Sequence, residues 1–106
     1  MGVHFERAFL GNARLQGAWL GGAHFDEHSG LTDARFDFAD LVGADLRGVL
    51  FIGTRLHGAD LEGTRLEGAN LIQAQGLTQP QINKALGDVR TKLPKGIDPP
   101  AAWFRP

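Results

Sequence analysis

The chain has no cysteine, which excludes disulfides, cysteine-ligated zinc and thiol catalysis. Serine occurs once, at Ser29, and there is no nucleophile elbow, phosphate loop or paired-carboxylate motif to suggest a reaction centre. No run of 18 apolar residues is present, and the first residues do not pair a basic region with an apolar stretch. Neither a membrane span nor a signal peptide is therefore expected, and the default is a soluble, cytoplasmic protein. Lysine is confined to Lys84, Lys92 and Lys95. Between Val3 and Gln75 ten acids face six arginines, whereas from Gly76 onward five basic residues face two acids. Neither half reaches the one-sign density of a nucleic-acid-binding surface, so no direct nucleic-acid binding is expected.

Glycine, at 15 of 106 residues, is about twice its average usage, without the every-third-residue rule of collagen. Its placement follows a period of five. Between Ala34 and Leu71 the chain reads ARFDF, ADLVG, ADLRG, VLFIG, TRLHG, ADLEG, TRLEG and ANLIQ. A small residue stands first, and Phe or Leu stands third. The phase begins at Val3, with Phe5, Leu10, Leu15, Leu20 and Phe25 five apart, then slips. Phe25 and Phe36 are eleven apart, so one extra residue lies within Asp26 to Gly30, with Leu31 central in a degenerate copy. Insertions of this kind fit corners better than a core.

A period of five fits neither a helix nor a flat strand, but it does fit three extended residues followed by a turn. Strand alternation then points positions one and three inward and position two outward, with position four also outward. Glycine at position five, as in Gly17, Gly43 and Gly58, suits the turn. Four such units close a square circuit of 20 residues, each paired with the next at about 4.8 Å. The expected core is Phe5, Leu10, Leu15, Leu20, Phe25, Leu31, Phe36, Leu41, Leu46, Phe51, Leu56, Leu61, Leu66 and Leu71.

The A-D/N-L phrases at Ala39–Leu41, Ala44–Leu46, Ala59–Leu61 and Ala69–Leu71 resemble the pentapeptide repeat proteins. The resemblance covers residues 3–75 and implies an all-β solenoid, a right-handed quadrilateral β-helix of about three and a half circuits. The tail, GLTQPQINKALGDVRTKLPKG with Trp103, resembles the segment that follows the repeats in many bacterial members. Arg35, Leu50, Arg55 and Arg65 depart from the family's usual Asp or Asn.

The second unit is residues 76–106. Thr78 with Gln81 and Pro80 reads as a capping box opening a helix from Gln79 to Leu86. Ile82, Ala85, Leu86 and Val89 form its apolar face, Gly87 ends it, and it lids the last circuit. Leu93, Ile97, Trp103 and Phe104 are expected against the body. The first circuit has no lid, so pairing through that end, as a homodimer, is one expectation.

Stacking the outward residues sorts them into walls. One is apolar, with Phe9, Leu50, Ile52 and Ile72, and either the tail, through Trp103 and Phe104, or a protein partner covers it. Another stacks Arg14, Arg35 and Arg55 beside Asp37, and neighbouring carboxylates should pair with these arginines, with anion or phosphate binding as the alternative. A third carries Trp19 and Val42 with an acidic stripe of Asp40, Asp60 and Glu62. His4 and His24 share an outward position, with His28, Asp26 and Glu27 nearby, but no third ligand is fixed, and neither metal nor other cofactor is expected. The reading is a non-catalytic structural or interaction module whose partner is another protein or a second copy of the chain. Some members of the resembled family mimic DNA to bind type II topoisomerases such as gyrase. As the alternative, that implies a role for the acidic stripe, although a short rod beside an arginine wall suits it poorly.

Overall fold

The computed structural model describes residues 2–5, 7–8, 10–27 and 29–104. Its backbone is organised by parallel bridges between residues about 20 apart, which fall into four columns. One column runs His4, His24, Asp45, Arg65 and Leu86, and the next holds Leu50, Asn70 and Lys92. The third is Arg14, Arg35 and Arg55, and the fourth Trp19, Asp40 and Asp60. All of these residues occupy position two of their repeats until the period ends. Most copies contribute a single bridge rather than a full strand, because three extended residues are too few between corners. Among the described residues only two runs are longer, β1 (Leu50–Arg55) and β2 (Asn70–Gln75), which pair in parallel with register shifts.

Local chemistry explains the rhythm. Position five lies in the left-handed region in nearly every copy, at Gly17, Gly22, Gly43, Gly48, Gly53, Gly58, Gly63 and Gly68. Arg7, Asn12, Asp33 and Phe38 hold the same conformation without being glycine, which costs about 1 kcal/mol or more each. Position three fills the interior. Leu31, Phe36, Leu41, Leu46, Phe51, Leu56, Leu61, Leu66 and Leu71 are fully buried, with Ala34, Ala39, Ala44, Val49 and Ala69 between them. Phe5, Leu10 and Leu15 of the first circuit are only partly buried. Thr54 and Thr64, buried at position one, donate to the carbonyls of Leu31 and Leu41 at 2.7 Å, so neither hydroxyl is stranded.

One corner of the circuit is widened twice by the same device. His4 pairs with His24 at a separation of 20, but Arg14, Trp19 and His24 pair with residues 21 further on. The shift falls at Asp26–Ser29, where the Asp26 amide donates to Ser29 Oγ at 3.0 Å and the Ser29 amide donates to the Asp26 carbonyl at 2.9 Å. Ser29 Oγ then donates to the Phe5 carbonyl one circuit below. Asp88–Thr91 repeats this at the same corner: the Asp88 amide donates to Thr91 Oγ1, the Thr91 amide to the Asp88 carbonyl, and Thr91 Oγ1 to the Leu66 carbonyl. Here too the separation grows, from 21 for Arg65 and Leu86 to 22 for Asn70 and Lys92. An Asp-x-x-Ser/Thr phrase thus adds a residue while a hydroxyl at position one still satisfies the backbone.

The helix α1 spans Gln79–Lys84, two residues shorter than its sequence suggests. Gln81 Oε1 accepts from the Thr78 amide at 2.8 Å, and Gln81 Nε2 donates to the carbonyls of Leu56 and Ala59, seating α1 on the circuit below. Ile82 is its buried contact. The helix stops at Ala85 rather than Gly87 because the chain turns extended there to rejoin the ladder, Leu86 donating to Thr64 and accepting from Leu66. Leu86 and Val89 are consequently exposed and not part of an apolar helix face.

Trp103, in a single 3-10 turn at Ala101–Phe104, packs on this cap and donates from Nε1 to the Ala85 carbonyl. Gly87 stands where an inward side chain would come, and a Cβ there would lie 2.6 Å from the indole. The tail therefore supplies from a distance the core residue that position 87 lacks. Gln79 clamps it by exchanging hydrogen bonds with the Asp98 backbone at 2.7 and 2.8 Å.

Candidate functional site

The outward columns define the surfaces available for function. On the apolar wall Leu50, Ile52 and Ile72 are 45, 37 and 53% exposed. They lie on β1 and β2, so the two longest extended runs carry this patch. Phe9, expected on the same wall, lies outside the described residues. The tail does not cover the patch. Trp103 is spent on the α1 cap and Phe104 remains exposed, because the space above Gly87 takes the indole.

The acidic stripe has a local task. Asp40 Oδ1 accepts from the Val42 amide at 2.9 Å and Asp60 Oδ1 from the Glu62 amide at 3.1 Å. Asp45 and Asn70 treat the amides of Arg47 and Ile72 in the same way. Asp or Asn at position two is therefore a turn-forming choice, in which a short side chain satisfies the amide two residues on. Trp19, 91% exposed, stands below Asp40 in this column, and Val42 is exposed at its side. Two of the three acids assigned to the stripe are thus engaged in holding corners.

On the wall of His24 and Asp45 the charges neutralise each other within single repeats. Arg47 meets both oxygens of Asp45, at 2.9 and 2.8 Å, Arg65 reaches Glu67 at 3.3 Å, and Arg90 meets Asp88 at 3.0 Å. The Arg47 guanidinium holds the Asp45 carboxyl below the usual carboxylate range, opposed by burial. Burial pushes Asp88 up, but the Arg90 guanidinium with the amides of Arg90 and Gly68 outweighs it and keeps that carboxyl low. The wide corners at Asp26–Ser29 and Asp88–Thr91 flank the tighter turns at Gly48 and Gly68. Between them lies an open groove of about 640 Å³ lined by Glu27, Arg47, Glu67 and Arg90.

The imidazoles of His4 and His24 stack in parallel, 4.6 Å between centroids, with His24 Nδ1 3.8 Å from Asp45 Oδ2. Among the described residues no three His, Asp or Glu side chains form a group able to hold a metal ion, and His28 lies outside those residues.

The arginine wall behaves differently from its expected ladder of ion pairs. Arg14, Arg35 and Arg55 are bridged in succession and all exposed. Arg55 Nε approaches Asp37 Oδ2 at 3.5 Å, while Arg14 and Arg35 have no carboxylate within ion-pair distance among the described residues. Asp37 belongs to the repeat of Arg35, yet it serves the next circuit. A groove of about 340 Å³ runs along the three arginines, with Asn12 and Gln75 contributing amides and Asp33 at its edge.

Stacked five-residue turns, a buried position three and outward columns define a repeat protein whose side walls display its variable residues. The chain belongs to the pentapeptide repeat family. The family model described as pentapeptide repeats matches residues 31–68 in eight copies. Among solved structures, the pentapeptide repeat protein alr5209 from Nostoc PCC 7120 is similar with 32% identity and a TM-score of 0.68, over 90% of this chain and 77% of that one. Rfr23, a pentapeptide repeat protein from the cyanobacterium Cyanothece 51142, is similar with 27% identity and a TM-score of 0.61. That match covers 85% of this chain, which spans 63% of the length of Rfr23. Membership implies a right-handed β-helix. No curated protein matches the chain. No helix among the described residues is long and apolar enough to cross a membrane.

Proposed function

We propose that the chain is a four-walled, quadrilateral β-helix capped by α1 and its tail, acting as a non-catalytic interaction module in the cytoplasm. Its contact surface is the wall of Leu50, Ile52 and Ile72, and its partner is another protein or a second copy of the chain. One observation carries this reading: three aliphatic side chains stay exposed, side by side, on the two longest strands, although the tail has aromatic residues with which to cover them. Apolar groups aligned on a rigid surface favour association because burying them removes that area from water.

The test compares the purified chain with a Leu50→Glu, Ile52→Glu variant by sedimentation velocity and by pull-down from the source organism. The reading expects an association that the variant loses while keeping its melting temperature. Equal behaviour of the two proteins would remove this wall from consideration. Inhibition of DNA supercoiling by purified gyrase, retained in the variant and lost on replacing Asp40 and Asp60, would redirect the assignment to the acidic stripe.

A further inference from the structure

We propose that the column of Arg14, Arg35 and Arg55 is a binding site for linked phosphates. Consecutive parallel bridges place the three arginines at equivalent positions in successive circuits, so their backbones are spaced at about 4.8 Å along the axis. Like charges directly opposite one another across strands destabilise a sheet. On the wall of Asp45 the cost is avoided, because Arg47, Arg65 and Arg90 each meet a carboxylate two residues away. On this column Gln16 and His57 occupy the corresponding positions beside Arg14 and Arg55. Asp37, beside Arg35, is drawn to Arg55, and its other oxygen is buried without a donor. Two guanidinium groups thus remain without carboxylate partners above a preformed groove, flanked by the amides of Asn12 and Gln75.

Guanidinium groups bind phosphate oxygens through paired, charge-assisted hydrogen bonds. A single phosphate would engage at most neighbouring members of the column. A linear chain of phosphates runs along the axis and engages all three. The carboxylates facing the site are Asp33 at the groove edge and Asp37 beneath Arg55, and they leave one net positive charge. That balance favours a short, densely charged ligand held inside the groove over an extended polyanion spread across the wall.

Isothermal titration of the full chain with inorganic tripolyphosphate, and separately with orthophosphate, tests the site. Saturable binding to one site is expected for tripolyphosphate, weaker for orthophosphate, and falling as salt rises. An Arg14→Gln, Arg35→Gln variant should bind at least about tenfold more weakly, the effect of losing charge-assisted hydrogen bonds. Because the substitutions relieve repulsion, that variant should melt no lower than the parent, which separates lost binding from lost folding. Arg47→Gln, on the paired wall, should bind as the parent does. Absence of saturation, equal affinity for the two anions, or an Arg47→Gln loss as large as that of the double variant would each overturn the proposal. For a second reading that removes no arginine, Asp37→Asn should tighten tripolyphosphate binding by freeing Arg55, and unchanged or weaker binding counts against it.

Discussion

Two of the four walls use the same residue types to opposite effect. On the wall of Asp45 and Arg65, positions two and four of one repeat carry opposite charges and close on each other, and at the wide corner above them Arg90 closes on Asp88. On the wall of Arg14, Arg35 and Arg55, position four is Gln16, Asp37 or His57, and among the described residues one carboxylate serves three guanidinium groups. The backbone under both is the same ladder. The short ion pairs of Arg47, Arg65 and Arg90 are therefore made between side chains two residues apart, whereas the one contact on the arginine wall, Arg55 with Asp37, reaches between circuits and is longer. A wall becomes available to a ligand when that internal pairing fails.

The largest expected effect ignores the difference between walls. Leu46 follows Asp45 on the paired side and Leu56 follows Arg55 on the other, and both are 1% exposed. Truncating either to alanine should cost about 2–5 kcal/mol in urea unfolding, and the two costs should agree. If Leu56→Ala proved much cheaper than Leu46→Ala, the walls would differ in their core as well as their charge, and the comparison would lose its basis.

Smaller losses are expected at the wide corners that frame the paired wall. Thr91→Val removes the acceptor for the Asp88 amide and the donor to the Leu66 carbonyl, while keeping the shape. The stranded backbone groups should cost about 1–3 kcal/mol. Ser29→Ala should behave alike, since Ser29 serves Asp26 and Phe5 in the same way. Neither substitution should alter the arginine column, which can be checked by repeating the tripolyphosphate titration on each variant.

Most of this architecture is readable in the sequence because positions one and three have one job. Every buried leucine from Leu31 to Leu71 follows from the period alone. The second wide corner is not marked by a slip, since the period has already stopped at Asp88. Its signal is the phrase Asp-Val-Arg-Thr, which repeats the pattern of Asp-Glu-His-Ser. The end of α1 was hidden for a related reason. Helix propensity favours continuing to Gly87, but the backbone of Leu86 has partners waiting at Thr64 and Leu66. The function of Asp40 and Asp60 was equally hard to read, because an aspartate that holds a turn and one that meets a partner look identical in sequence. Pairing across the arginine wall depended on which way Asp37 leans, which spacing does not determine.

Charge substitutions should move the two walls in opposite directions by small amounts. Arg47→Gln removes an exposed but two-pronged ion pair and should destabilise by about 0.2–1 kcal/mol. Arg35→Gln removes a repelling neighbour and should be neutral or stabilising by a similar amount. Matching signs for the two would mean that Arg35 has found compensation that its surroundings do not suggest.

The smallest effect is a difference in acid sensitivity, and its sign follows from Asp45. The Arg47 hydrogen bonds lower the folded-state pKa of this carboxyl below its ordinary value of 3.8, even against the upward push of burial. A carboxyl that is more acidic when folded stabilises the protein fully at pH above its unfolded value. That contribution fades as pH falls through the lower, folded value, where the proton finally competes with Arg47. Melting temperature should therefore drop as pH falls below about 4, in part because this pair is lost. In Arg47→Gln the lowering weakens, so the variant should lose less on acidification and its deficit relative to the parent should shrink. The same scan on Arg35→Gln should leave the gap to the parent nearly constant over the same pH range, since among the described residues Arg35 has no carboxylate within ion-pair distance to protonate. Added salt should compress the Arg47 effect by screening an exposed pair. A parent that loses more on acidification than Arg35→Gln does would show that Asp37 or Asp33 answers to Arg35 after all, and would make the two walls alike.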